Sequence, residues 1–272
     1  MASNTFKGFV YGAVAAASYG LNPLFTLPLY ADGVSADSVL FYRYGLGVVM
    51  LALLMKVQKQ SFALHRSEVL PLLVMGMLFA FSSLTLFQSY NYMDAGIAST
   101  ILFVYPVLVA IIMAVVFKEK VSPITMFSIK EKVSVITAVS IALAFVGISL
   151  LYKGEGGKTL SLIGVLLVFI SSLTYAIYII GVNRSSLKDM PTAKLTFYAL
   201  LFGLSVFVVR LKFCTHLDPI STPWLWINPI GLALFPTVIS LVAMTKSIHY
   251  SCGYFRCFGA DYSLILRCPD VW

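Results

Sequence analysis

The sequence predicts an all-α integral membrane protein, and three observations predict it: an apolar composition, eight apolar runs of membrane-crossing length, and basic residues sorted to one side of those runs. Of 272 residues, 60% are hydrophobic and 11% charged, with a mean hydropathy of +0.92. Soluble domains average about 45–50% apolar and about 25% charged residues. A water-soluble globule is therefore excluded, because the outside of this molecule must be as apolar as its core. With 18 Gly, 11 Pro and 4 Cys, collagen-like, disordered and disulfide-scaffold chains are excluded as well.

A bilayer-crossing helix needs about 20 mostly apolar residues, since the backbone must satisfy its own hydrogen bonds through about 30 Å of hydrocarbon. Eight runs qualify, at 8–30, 38–55, 69–90, 95–117, 133–151, 160–182, 193–211 and 223–245. The first has the look of a secretory signal, with Lys7 ahead of it and Ala15-Ala16-Ala17-Ser18 resembling a cleavage site. It continues to Tyr30, too far for a signal core, and reads as a retained first helix.

The gaps carry nearly all the charge. With the N-terminus in the cytoplasm, twelve Lys and Arg fall on the inner side and four on the outer side. This asymmetry predicts an N-in topology. It also accounts for the net charge of +8, which serves orientation rather than nucleic-acid binding.

The chain repeats internally. A shift of 156 residues lays Gly8 on Gly164, Tyr19 on Tyr175, Phe41-Tyr42 on Phe197-Tyr198 and Gly47 on Gly203. A shift of 158 then lays Ser82 on Ser240, Ser89 on Ser247 and Tyr92 on Tyr250. The first copy holds five spans, an odd number, so the second must cross the membrane in the opposite sense. Inverted repeats of this kind typify secondary carriers, whose halves rock about a midplane site.

Particular residues carry a family likeness. Asp94-Ala95-Gly96-Ile97-Ala98-Ser99 leads into Val104-Tyr105-Pro106-Val107 and then Phe117-Lys118-Glu119-Lys120, and a later stretch reads Leu234-Phe235-Pro236-Thr237-Val238-Ile239-Ser240. In these the chain resembles the EamA family of the drug/metabolite transporter superfamily, with Lys118 where that family usually has Gly. The resemblance implies two five-helix repeats and ten helices. Residues 6–151 make the first repeat, and residues 160–250 make a second, incomplete one of three helices. After Tyr250 the likeness stops. Residues 251–272 hold three of the four cysteines and no run long enough to span, which reads as an aberrant or frameshifted tail. A genuine eight-span variant with a cytoplasmic tail is the competing reading. Cys252, Cys257 and Cys268 lack a zinc-ligand spacing, and no cofactor or metal is expected.

Ionisable and polar groups inside a bilayer are costly and so are candidate substrate contacts. Arg43 is the one full charge well inside a span; it either meets a substrate anion through its planar fork or snorkels toward Asp37 or Asp94. Asn22 and Tyr19 in the first span, Gln88 and Asn91 at the end of the third, Tyr105 in the fourth, and Tyr175 and Tyr178 in the sixth complete the candidate set. Pro23, Pro106 and Pro236 interrupt their helices, either lining a cavity or simply kinking. None of the 11 acidic residues lies mid-span, which tilts the substrate toward neutral, zwitterionic or anionic metabolites.

No His-Glu-x-x-His, Gly-x-Ser-x-Gly or Cys-x-x-Cys pattern occurs, which argues against an enzyme. The expected function is a multi-pass carrier exporting a small metabolite such as an amino acid or a related zwitterion or anion. Its partners would be that metabolite and the lipid bilayer, without nucleic acid, and the resemblance points to a bacterial inner membrane. A non-transporting membrane scaffold is the alternative.

Overall fold

The computed structural model describes residues 2–116, 161–187, 190–243 and 246, and among them every regular element is a helix. The expected fifth span, 133–151, and the tail after residue 250 lie outside the described residues. Backbone contacts divide the chain into two compact units, Met1–Ala80 with Val182–Trp272, and Phe81–Gly181. The first repeat read from the sequence contributes to both units.

The larger unit contains α1 (Ala2–Gly20), α2 (Asn22–Ala31), α3 (Ala36–Val57), the first part of α4 (Arg66–Ser89), α8 (Thr192–Arg210) and α9 (Pro223–Ala243). The sequence predicts one continuous first span, whereas the structure divides it at Leu21. Pro23 cannot donate to the carbonyl four residues back and crowds the residue before it, so the helix restarts there. α9 is uneven along its length: a 3-10 turn over Pro223–Trp226, α-helix over Ile227–Ala233, and a π-helical stretch over Leu234–Ile239 that contains Pro236. Such π segments commonly accompany functional positions.

α3 and α8 form a closely packed antiparallel pair. Asp37 pairs with Arg210, a Cβ at Gly203 would meet Tyr44, and a Cβ at Gly47 would meet Leu200. As α3 is climbed from 37 through 44 to 47, α8 is descended from 210 through 203 to 200. Under the 156-residue shift, the Tyr44–Gly203 and Gly47–Leu200 contacts are each other's images. Lipid offers helices little hydrophobic reason to associate, so close approach through small residues does the packing. At Gly203 a Cβ would lie 2.8 Å from the Tyr44 ring and 3.0 Å from the Gly76 carbonyl. One end of the pair is tied by Arg210, whose Nε and Nη2 donate to the two Asp37 carboxylate oxygens at 2.7 and 3.1 Å. Asp37 in the first turn of α3 and Arg210 in the last turn of α8 also complement their helix dipoles. The other end is tied by the Tyr198 hydroxyl and the Lys194 ammonium, which donate to the Phe62 and Ala63 carbonyls, each at 2.6 Å.

The smaller unit contains the last part of α4, α5 (Ala95–Leu102), α6 (Tyr105–Val116) and α7 (Leu162–Arg184), whose last residues fall past its boundary. The expected fourth span is divided at Phe103 and Val104, ahead of Pro106. Asp94 starts α5 by accepting from the Gly96 and Ile97 amides at 2.8 and 3.2 Å. Ser82 of α4 and Ser171 of α7 interlock: each hydroxyl donates to the other's carbonyl, at 3.0 and 2.7 Å.

Five of the described helices are long and apolar enough to cross a membrane, namely α3, α4, α7, α8 and α9. Large apolar side chains such as Phe9, Val57, Leu70 and Leu162 stand 70% or more exposed, as a lipid-facing surface requires. The chain is a multi-pass, all-α membrane protein.

Candidate functional site

Three prolines and three polar side chains build the discontinuities. A proline leaves the carbonyl four residues before it without its helical donor. For Pro23 that carbonyl is on Tyr19, and the Asn22 amide donates to it at 2.8 Å. For Pro106 it is on Leu102, and the Ser172 hydroxyl of α7 lies 3.3 Å from it, while also reaching Val168 of its own helix at 2.9 Å. For Pro236 it is on Leu232, and the Thr237 hydroxyl donates to it at 3.2 Å. Membrane helices tolerate proline when nearby polar groups satisfy the freed carbonyls in this way.

The patch at α9 engages a charge. Thr237 has one proton, directed at Leu232, so its lone pairs are left to accept, and the Arg43 Nε–H donates to it at 3.4 Å. Arg43 lies on α3 one helical turn from Gly47, where a Cβ would stand 3.6 Å from the Thr237 methyl. Arg43 is only 6% exposed, and the alternative reading sends it snorkelling toward Asp37 or Asp94. Of the two acids named for that alternative, Asp37 is held by Arg210.

The divided first span runs alongside the same stretch of α9. Phe25 stacks on Phe235 with ring centroids 5.7 Å apart, and a Cβ at Gly231 would lie 2.6 Å from the Phe25 ring. The Ser240 hydroxyl donates to the Ala15 carbonyl at 3.0 Å. Phe235, Thr237 and Ser240 thus touch Phe25, Arg43 and Ala15 in turn. Tyr19 and Asn22 lie between Ala15 and Phe25 on this span. Asn22 is 2% exposed, and its Oδ1 has no hydrogen-bond partner among the described residues. The amide orientation is fixed chemically, because the Tyr19 carbonyl can only accept. Tyr19 and Asn22 thus pair on the first span, Arg43 and Thr237 pair between α3 and α9, and all four belong to the larger unit.

The remaining candidates belong to the smaller unit. The Tyr105 ring stands edge-on to Tyr175 at 4.9 Å, and Tyr175 stacks on Tyr178 at 5.8 Å. Gln88 is half-buried near the end of α4, and Asn91 is exposed in the turn that follows. These five form an aromatic cluster and a helix end. Among the described residues no group of His, Cys, Asp and Glu could hold a metal ion.

Sequence reasoning missed Thr237, Ser172 and Asp218. Thr237 had a signal, a hydroxyl residue directly after an intrahelical proline. Ser172 had none, since its partner is remote in sequence. Asp218 lies in the loop after α8 and closes onto the start of α3. Its Oδ2 accepts from the Ser35 amide at 2.9 Å, the Ser35 hydroxyl, and the Ser38 hydroxyl at 2.9 Å. Its carbonyl accepts from the Tyr42 hydroxyl at 3.0 Å. These bonds, those from Ser35 foremost, hold the Asp218 carboxyl below its ordinary value of 3.8.

Residues 6–129 match the EamA-like transporter family. No protein of curated function matches the chain. A crystal structure at 14% sequence identity superposes with a TM-score of 0.59, covering 96% of this chain and 90% of that one, and so shares its fold.

Proposed function

We propose that the chain, whose residues 6–129 match the EamA-like transporter family, is a secondary carrier that moves a small anionic or zwitterionic metabolite past Arg43 by alternating access of two inverted repeats. The observation that carries this reading is Arg43, the only charged side chain buried among the described residues, hydrogen-bonded to the interrupted helix α9. A buried cation is retained at a cost and suits a site that a negative group visits. Interrupted helices whose carbonyls are patched by side chains can exchange those patches as the halves move. The reciprocal contacts of Tyr44 with Gly203 and of Gly47 with Leu200 support the two-fold arrangement that rocking needs. The chemistry is transport without covalent change. The bias of Lys and Arg supports an N-in orientation, and the family supports a bacterial inner membrane and export.

The test compares metabolites outside cells with and without the gene, followed by flux of any enriched compound into vesicles carrying the full chain. Saturable flux that disappears in Arg43→Ala, with the variant still folded, is the expected result. A chain that folds in vesicles yet moves no member of the enriched pool would favour the scaffold reading.

A further inference from the structure

The two ends of the α3 and α8 pair carry the same fastening. At one end the Tyr42 hydroxyl of α3 donates at 3.0 Å to the Asp218 carbonyl, in the loop that leads from α8 to α9. At the other end the Tyr198 hydroxyl of α8 donates at 2.6 Å to the Phe62 carbonyl, in the loop that leads from α3 to α4. The 156-residue shift carries Tyr42 to Tyr198 and Phe62 to Asp218, so each bond is the repeat image of the other. Ser38 and Lys194 are images as well, and each reinforces its own end: Ser38 exchanges hydrogen bonds with Asp218, and Lys194 donates to the Ala63 carbonyl. Aromatic rings accompany both, with Trp226 edge-on to Tyr42 at 5.4 Å and Phe62 edge-on to Phe197 at 5.7 Å.

Resting on the carrier reading, we propose that Tyr42 with Asp218 and Tyr198 with Phe62 are the outer and inner latches of alternating access. With the N-terminus inside, the Asp218 loop lies at the outer face and the Phe62 loop at the inner face. α3 and α8 are themselves locked together through Gly47 and Gly203, so a latch governs the helix that follows its loop. Release of the outer latch lets the outer end of α9 swing from α3, and release of the inner latch lets the inner end of α4 swing from α8. A carrier built of inverted repeats needs one such closure on each face, made of equivalent parts. A hydroxyl on a loop carbonyl suits the task, because a single neutral hydrogen bond is weak enough to break and be remade in each cycle.

The experiment reads water access rather than flux. It uses the full chain in membrane vesicles, with its four cysteines replaced by serine and one reporter cysteine added. Ala233→Cys reports on α9, ten residues or about 15 Å from its start, and Leu72→Cys reports on α4, six residues or about 9 Å from its start. Both positions are fully buried. A charged maleimide that does not cross the bilayer is applied to right-side-out vesicles for Ala233→Cys and to inverted vesicles for Leu72→Cys. Tyr42→Phe with Asp218→Ala should raise the labelling rate of Ala233→Cys at least about fivefold and leave Leu72→Cys unchanged. Tyr198→Phe with Lys194→Met should do the reverse. Any other pattern, whether a rise at both reporters, at neither or at the opposite one, overturns the inference and makes the fastenings static ties. Melting in detergent identifies a variant that has lost its fold; for it, Tyr42→Phe or Tyr198→Phe alone carries the same test in the same direction. The carrier reading is decided separately by the metabolite comparison, which does not depend on which loop opens.

Discussion

Arg43 donates its Nε–H to Thr237, and Thr237 donates its single O–H to the Leu232 carbonyl, to which Pro236 cannot donate. One hydroxyl thus repairs a helix defect and holds a buried cation. Replacing it with an isosteric methyl in Thr237→Val removes both bonds with little change in shape. The expected cost is about 1–3 kcal/mol, the usual penalty for a buried group left unsatisfied. Thr237→Ser keeps the hydroxyl and should recover most of the loss. Melting temperatures of the three proteins in one detergent check the order, and a Thr237→Val protein as stable as the wild type would show that the hydroxyl is dispensable.

A second prediction concerns the pairing of Asn22 with Pro23. If the Asn22 amide stands in for the N–H that proline lacks, then Asn22→Ala is damaging mainly because Pro23 is there. Pro23→Ala restores a backbone donor for the Tyr19 carbonyl. The expected result of a double-mutant cycle is therefore a coupling of roughly 1 kcal/mol, with Asn22→Ala costing less in the Pro23→Ala background than alone. Strict additivity of the two melting shifts would contradict the substitution of one donor for the other.

Acid should loosen the loop that carries Asp218. Its carboxylate accepts three hydrogen bonds at the start of α3 and is held below 3.8 in the folded chain. A depressed carboxyl contributes stability that is full above its unfolded value and is lost as pH falls through the folded one. Below about pH 4 the loop should part from Ser35 and Ser38. The Tyr42 hydroxyl would then lose the Asp218 carbonyl. Asp218→Asn should be less stable than the wild type at neutral pH, and the difference should shrink on acidification. Melting curves of both proteins between pH 3 and pH 7 decide the matter; a gap that widened toward low pH would reverse the sign argued here.

The span positions were legible because hydropathy acts over whole spans. α3, α4, α7, α8 and α9 all fall within a few residues of their predicted positions. The division of the first and fourth spans was signalled only in part, since Pro23 and Pro106 mark weakened turns without saying whether a helix bends or stops. The pairing of α3 with α8 was latent in the 156-residue shift, which carries Gly47 to Gly203, yet no rule of sequence says that these glycines face each other's helices. Arg43 stood out as a charge in an apolar run. Its partner did not, because Thr237 lies 194 positions away and serves a local defect as well. The Tyr105, Tyr175 and Tyr178 cluster illustrates the converse, in which residues chosen singly for their polar tips turn out to pack ring on ring.

Two glycines allow the antiparallel packing to be tested against simple helix propensity. Gly45 and Gly203 both lie inside helices, where glycine costs about 1 kcal/mol relative to alanine. At Gly45 a Cβ would meet nothing within 4 Å, so Gly45→Ala should be neutral or stabilising by up to about 1 kcal/mol. At Gly203 the same methyl would press on the Tyr44 ring at 2.8 Å and on the Gly76 backbone at 3.0 Å, and the backbone cannot turn aside. Overpacking of this kind costs roughly 1–3 kcal/mol, more than the propensity gain. Gly203→Ala should therefore lower the melting temperature while Gly45→Ala leaves or raises it. If both substitutions raised it, α3, α4 and α8 could not approach as closely as the Tyr44 and Gly76 contacts require.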